Sequence, residues 1–181
     1  NILYEGVYIM VKMRNLFLFM SLFFMLALVA CSSPEADEVL DYHNSLVDDV
    51  QPKLEEIQTL GQEVLSMNSQ EDALEKQKNE VIPLLDEVKD YIESKEPEHD
   101  ITKEYHQLKV DWINALRESV QLEQEAFEGL FDGSLTEEEA NEVLAKSEEK
   151  TQESLEIDEK AQKKWEDIKE EYKFEDIEEE E

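Results

Sequence analysis

Cysteine occurs once in this chain, at position 31, so no internal disulfide can form. Glycine is almost as scarce: four occur in 181 residues, and only Gly61, Gly129 and Gly133 follow Cys31. No segment alternates β-branched with polar residues, and Glu, Lys, Leu and Gln dominate, which argues for helix and against sheet. Basic residues are few, 17 against 48 acidic ones, for a formal charge of −31. That balance excludes a nucleic-acid partner, since phosphate polymers would be repelled and no basic stripe exists. Gly-rich phosphate loops, HExxH and GxSxG are also missing, so no enzymatic activity is expected.

The longest apolar run, Leu16 to Ala30 (LFLFMSLFFMLALVA), is broken only by Ser21 and follows Lys12 and Arg14. A permanent span needs about 20 apolar residues, so the run suits a signal peptide better than an anchor. A span that extends upstream through YIMV would have to include both basic residues. Residues 1–9 contain no methionine, and Met10 or Met13 is the expected start.

Leu28, Val29, Ala30 and Cys31 resemble the lipobox of bacterial lipoproteins. The resemblance implies cleavage between Ala30 and Cys31, and a diacylglyceryl lipid with palmitate-type chains on the Cys31 sulfur. The other reading of Cys31, a thiol buried at a core edge, meets a polar SSPE segment that offers no core. Removing residues 1–30 takes away Lys12, Arg14 and Glu5, so the remainder is one unit more negative, −32. Such a body should stand off an anionic leaflet, over a screening length of about 8 Å at physiological salt.

Periodicity predicts four helices. The first runs from about Glu35 to Met67 with a break at Pro52, and the second begins at SQED, where Ser69 caps and Asp72 completes the box, and ends in SKEPEHD. The third starts at an Asp100 cap and stops at FDGS; the fourth opens with Thr136 and Glu139 and continues to about Tyr172. The apolar anchors expected for the fourth are Val143, Leu144, Leu155, Ile157, Trp165, Ile168 and Tyr172. Short connections predict an all-α, elongated, coiled-coil-like up-down-up-down four-helix bundle with an acidic C-terminal tail. Pro52 and Pro83 are expected to face each other at one level. The divisions are 1–30 for the leader, 31–36 for the lipidated Cys and linker, 37–173 for the bundle and 174–181 for the tail.

Several constellations offer chemistry. Asp132, Gly133, Leu135 and Glu139 fit positions of an EF-hand loop, but Glu128 and Leu130 occupy ligand positions one and three, and a helix stop followed by a capping box explains the same residues. Glu96-Pro97-Glu98-His99 has di-iron spacing but falls in a loop, and His43 and His106 stand alone on helical stripes. No metal site and no cofactor are expected.

Between Ala145 and Ser154 the fourth helix has no large apolar residue. Ser147, Thr151 and Ser154 then face Ser119 of the third helix, a candidate binding layer at mid-height or simply a close helix approach. Lipobox and acidic helical domain together resemble Gram-positive lipoproteins, including the cell-wall-binding class. The expected role is a lipid-anchored, non-catalytic interaction module on the outer face of the cell membrane, with an envelope protein or a cationic ligand as partner. A bundle that binds a small ligand or a metal is the alternative.

Overall fold

The structure, a computed structural model, describes residues 33–174. Every regular element among them is helical: α1 (Pro34–Asp49), α2 (Gln51–Ser66), α3 (Gln70–Lys76), a π turn (Gln77–Val81), α4 (Ile82–Glu93), α5 (Asp100–Asp132) and α6 (Glu137–Tyr172). No strand occurs among these residues and none of their helices is long and apolar enough to cross a membrane. The chain is all-α over its described part.

Local chemistry sets most of the ends. Pro34 opens α1, where its missing N–H is not needed. Pro52 divides α1 from α2, although the ladder continues around it, with Val50 N–H donating to Leu46 O and Leu54 N–H to Val50 O, both at 3.0 Å. Pro83 follows the π turn, which contains Asn79, the residue whose carbonyl its ring would crowd in a regular helix. Ser69 accepts from Asp72 N–H at the start of α3, and Thr136 and Glu139 form a reciprocal capping box before α6. Gly133 ends α5 at φ 76°, a left-handed conformation that a side chain would strain.

One expectation is corrected here. The α5 cap is His99, not Asp100, and the acceptor comes from another helix: the Glu38 carboxylate of α1 accepts from the backbone N–H of Glu98 at 2.9 Å and of His99 at 3.2 Å. Burial pushes the Glu38 carboxyl up, but hydrogen bonds with the His99 side chain and then with these two backbone N–H groups outweigh it and leave it below the usual range. Pro52 and Pro83 lie within about one turn of the same level, since Tyr91 Oη donates to Ser45 O at 3.2 Å and Lys53 pairs with Glu87.

The pairing of α5 with α6 runs antiparallel, shown by Lys109 with Asp158, Ser119 with Ser147 and Gly129 O with Leu135 N. The residues α6 buries are Ala140, Ser147, Ser154, Ala161 and Ile168, one every seven positions. Of the expected anchors Ile168 is fully buried and Trp165 and Tyr172 pack against the core, but Leu155 is 57% exposed and small residues carry the rest of the contact. Small side chains let two long helices approach closely, and the seam is built on that approach.

The core gathers toward the end at which α1 begins, around Val39, Leu85, Val88, Ile92, Ile113 and Ile168. Neither α2 nor α3 buries a residue. Gly61 sits inside α2, and a Cβ added there would meet no atom within 4 Å. Gly61→Ala is therefore expected to stabilise the protein by about 1 kcal/mol, the helix-propensity difference. Denaturant midpoints check this, and a lower midpoint would mean that the space is not free.

Candidate binding site

Tyr42 and His43 are adjacent on α1, and Tyr105 and His106 on α5. Each dipeptide reaches across to the other. Tyr42 Oη lies 3.1 Å from His106 Nδ1, and Tyr105 Oη lies 3.1 Å from His43 Nδ1. The phenol rings meet edge-on at 5.7 Å between centroids. The His43 ring stacks on Trp165 of α6 at 3.6 Å and 6°. A continuous aromatic stack thus joins α1, α5 and α6, and Phe174 extends it at 6.0 Å from Trp165.

Burial, and then the nearby Lys109 and Lys169 cations, lower the His43 pKa to about 4. Burial lowers His106 as well, against the pull of Glu93, and raises both tyrosines. Neutral imidazoles and protonated phenols at pH 7 make this cluster a rigid uncharged plug. Since the folded His43 pKa is depressed, its neutral form adds stability that is complete above the unfolded value, about 6.5, and is lost as pH falls toward about 4. An NMR titration should find the His43 ring neutral at pH 5.5. Half-protonation near 6.5 would show that the ring is not buried as described.

Beneath the plug lies a cavity of about 210 Å³, bounded by Val47, Val50 and Leu54 on the α1–α2 side, Trp112 and Lys109 on α5, and Asp158 on α6. Lys109 reaches Asp158 at 3.3 Å and lies 5.3 Å over the Trp112 ring. Sites for small organic ligands usually span about 300–1,000 Å³. This one has room for a side chain or two. A second cavity, about 510 Å³, lies between the π turn and α5. Most of its charges are matched within the protein: Lys78 pairs with Glu128, Arg117 with Asp86, and Asp132 accepts from Ser134 N–H.

Three of the four hydroxyl residues expected to form a layer, Ser119, Ser147 and Thr151, come together, and Ser154 lies one heptad along the same seam. Ser119 Oγ lies 2.6 Å from Thr151 Oγ1 and donates to Ser147 O at 3.0 Å, and Ser147 Oγ donates to Ser119 O at 2.9 Å. Ser154 Oγ approaches Trp112 O at 3.4 Å. Each serine reaches the backbone of the facing helix, so the layer is a closed seam whose hydroxyls serve one another. Cys31 and Ala30 lie outside the described residues, as does the tail beyond Phe174.

The EF-hand residues are occupied by protein partners, Glu139 by Thr136 and Glu128 by Lys78. Glu96 and Glu98 fall in the loop before α5, and His99 binds Glu38. Among the described residues no three His, Cys, Asp or Glu side chains converge to hold a metal ion. The sequence reading of His43 and His106 as isolated is corrected: each is held by the tyrosine of the other dipeptide. The signal was present as a repeated Tyr-His pair 63 residues apart. No protein-family model matches the chain, and no curated protein or solved structure shows significant similarity to it.

Proposed function

We propose that this chain is a bacterial-type lipoprotein, a non-catalytic interaction module held on the outer face of the cell membrane by a lipid on Cys31. Its helical stretches form an elongated up-down-up-down bundle, followed by an acidic tail. Two acyl chains, at about 0.8 kcal/mol per buried methylene, anchor stably where one does so only marginally. The tether would attach at the end where α1 begins, the end that also holds the α4–α5 loop and the close of α6, since Glu38 reaches His99 and Tyr172 reaches Glu35. The opposite end, with its turns at 67–69 and 133–136, is then presented away from the attachment point.

The observation that carries the module reading over the small-ligand alternative is that the space beside the plug, about 210 Å³, is smaller than a usual organic-ligand site, while the 510 Å³ cavity is lined mostly by polar and charged side chains. A pull-down from membranes with the lipidated chain, beside native mass spectrometry of the same protein, tests the choice. The expected result is a captured envelope protein and a chain mass free of bound ligand. A stoichiometric small molecule or ion, with no captured protein, would overturn it.

A further inference from the structure

The α2 helix packs chiefly on α1, α3, the π turn and α4, while α6 packs chiefly on α5. A groove is left between α2 and α6, and the small cavity is its head. Val47, Gln51, Leu54, Gln58, Gly61 and Leu65 recur at three- and four-residue steps, hence on one helix face. The first and third of these line the cavity together with Asp158 of α6, so that face looks toward α6. Val47 is 44% exposed and Leu65 87%, and the space over Gly61 is open. On the other wall, Leu144, Thr151, Leu155 and Asp158 share a face, and Leu155 is again exposed.

Lys109 lines the head of the groove and is held there by Asp158, and Lys169 lies beyond it near His43; along the rest of the trough the facing charges are acidic, Glu137 and Glu148. Two lysines of α6 are turned to its other flank, where Lys150 pairs with Glu118 and Lys164 with Glu104 of α5. On α5, Glu123 lies two heptads beyond Lys109 on the same face. It is half-buried and forms no ion pair among the described residues; burial raises its carboxyl, and a hydrogen bond with the Gln77 side chain offsets part of that. An apolar trough with acidic walls and a half-buried carboxylate that lacks a cation is complementary to a cationic, apolar partner. From Val47 to Leu65 the trough runs about 27 Å at 1.5 Å per residue, the length of an 18-residue helix.

We infer that the α2–α6 groove receives a basic amphipathic helix of a partner protein, its apolar face on Val47, Leu54, Leu65, Leu144 and Leu155 and its lysines or arginines toward Glu137, Glu148 and Glu123. This is helix-in-groove recognition. Gly61 allows the incoming helix to approach α2 closely. The inference rests on reading the chain as an interaction module and names the surface and partner class of that module.

The test uses the full chain and a labelled 18-residue peptide of leucines and lysines with Leu at i, i+3, i+4 and i+7, set against a scrambled peptide of the same composition. At physiological salt the ordered peptide should bind at least tenfold more tightly than the scrambled one. Leu65→Asp and Leu155→Asp should each weaken its binding at least tenfold although each adds a negative charge. Ala145→Asp, on the outward side of α6, should leave it unchanged, and circular dichroism confirms that every variant is folded. Equal binding of the two peptides, or tighter binding by the Leu→Asp variants, would leave charge alone and overturn the groove. So would a peptide-free dimer that Leu155→Asp dissociates, since the groove would then be covered by a second copy. Should the groove fail while Cys31 still carries lipid and membrane proteins are still captured, the module reading stands and only this surface falls.

Discussion

Leu85→Ala is expected to destabilise the protein by about 2–5 kcal/mol, because a buried leucine loses both its transfer energy and the packing of the cavity left behind. Leu85 is fully buried in α4 and belongs to the cluster that joins α1, α4 and α5. A domain of this size is stable by only about 5–15 kcal/mol, so the variant should lose a large share of that. The effect should approach the upper part of the range, since α2 and α3 contribute only partly buried side chains and the fully buried core is concentrated at one end. Self-repulsion among 48 acidic residues already opposes compaction, and added salt should partly restore the variant. Denaturant unfolding of both proteins measures the difference. A loss below about 1 kcal/mol would show that the body is not organised around this cluster.

Ser147→Leu should also destabilise, by about 1–3 kcal/mol, even though it makes the α6 seam more apolar. Ser147 is buried and its hydroxyl donates to the backbone of α5 at 2.9 Å, so no space exists for a branched four-carbon side chain. Ser147→Ala removes that hydrogen bond and the 3.2 Å contact with Ser119 Oγ without adding bulk, and should cost about 1 kcal/mol. The order of the two variants carries the information: alanine is tolerated better than leucine only where helices touch through small residues. A leucine variant more stable than the wild type would mean that α5 and α6 do not approach closely at this level.

The parts of the fold written in neighbouring residues were legible in the sequence. Thr136 with Glu139, Ser69 with Asp72, Gly133 and Pro52 all act within a turn or two, and each sits at the helix end it was read to mark. What depended on another helix was not legible. The α5 cap is supplied by Glu38, some 60 residues away, so the local choice of Asp100 was displaced by one position. The α6 seam was legible in part: Ser147, Ser154 and Ile168 were among the facing positions, whereas Ala140 and Ala161 escaped because hydropathy gives weight to large side chains. Of the site, the hydroxyl layer was legible as a group of facing positions. The swapped Tyr-His pairs and the groove were not, since both arise only when α1, α5 and α6 are assembled.

The central claim, a helical interaction module tethered by lipid, is tested most directly by the intact mass of the chain extracted from bacterial membranes. The account predicts a mass that begins at Cys31 and carries added acyl groups, both lost in Cys31→Ser. A chain that retains residues 13–30 and carries no lipid would contradict it.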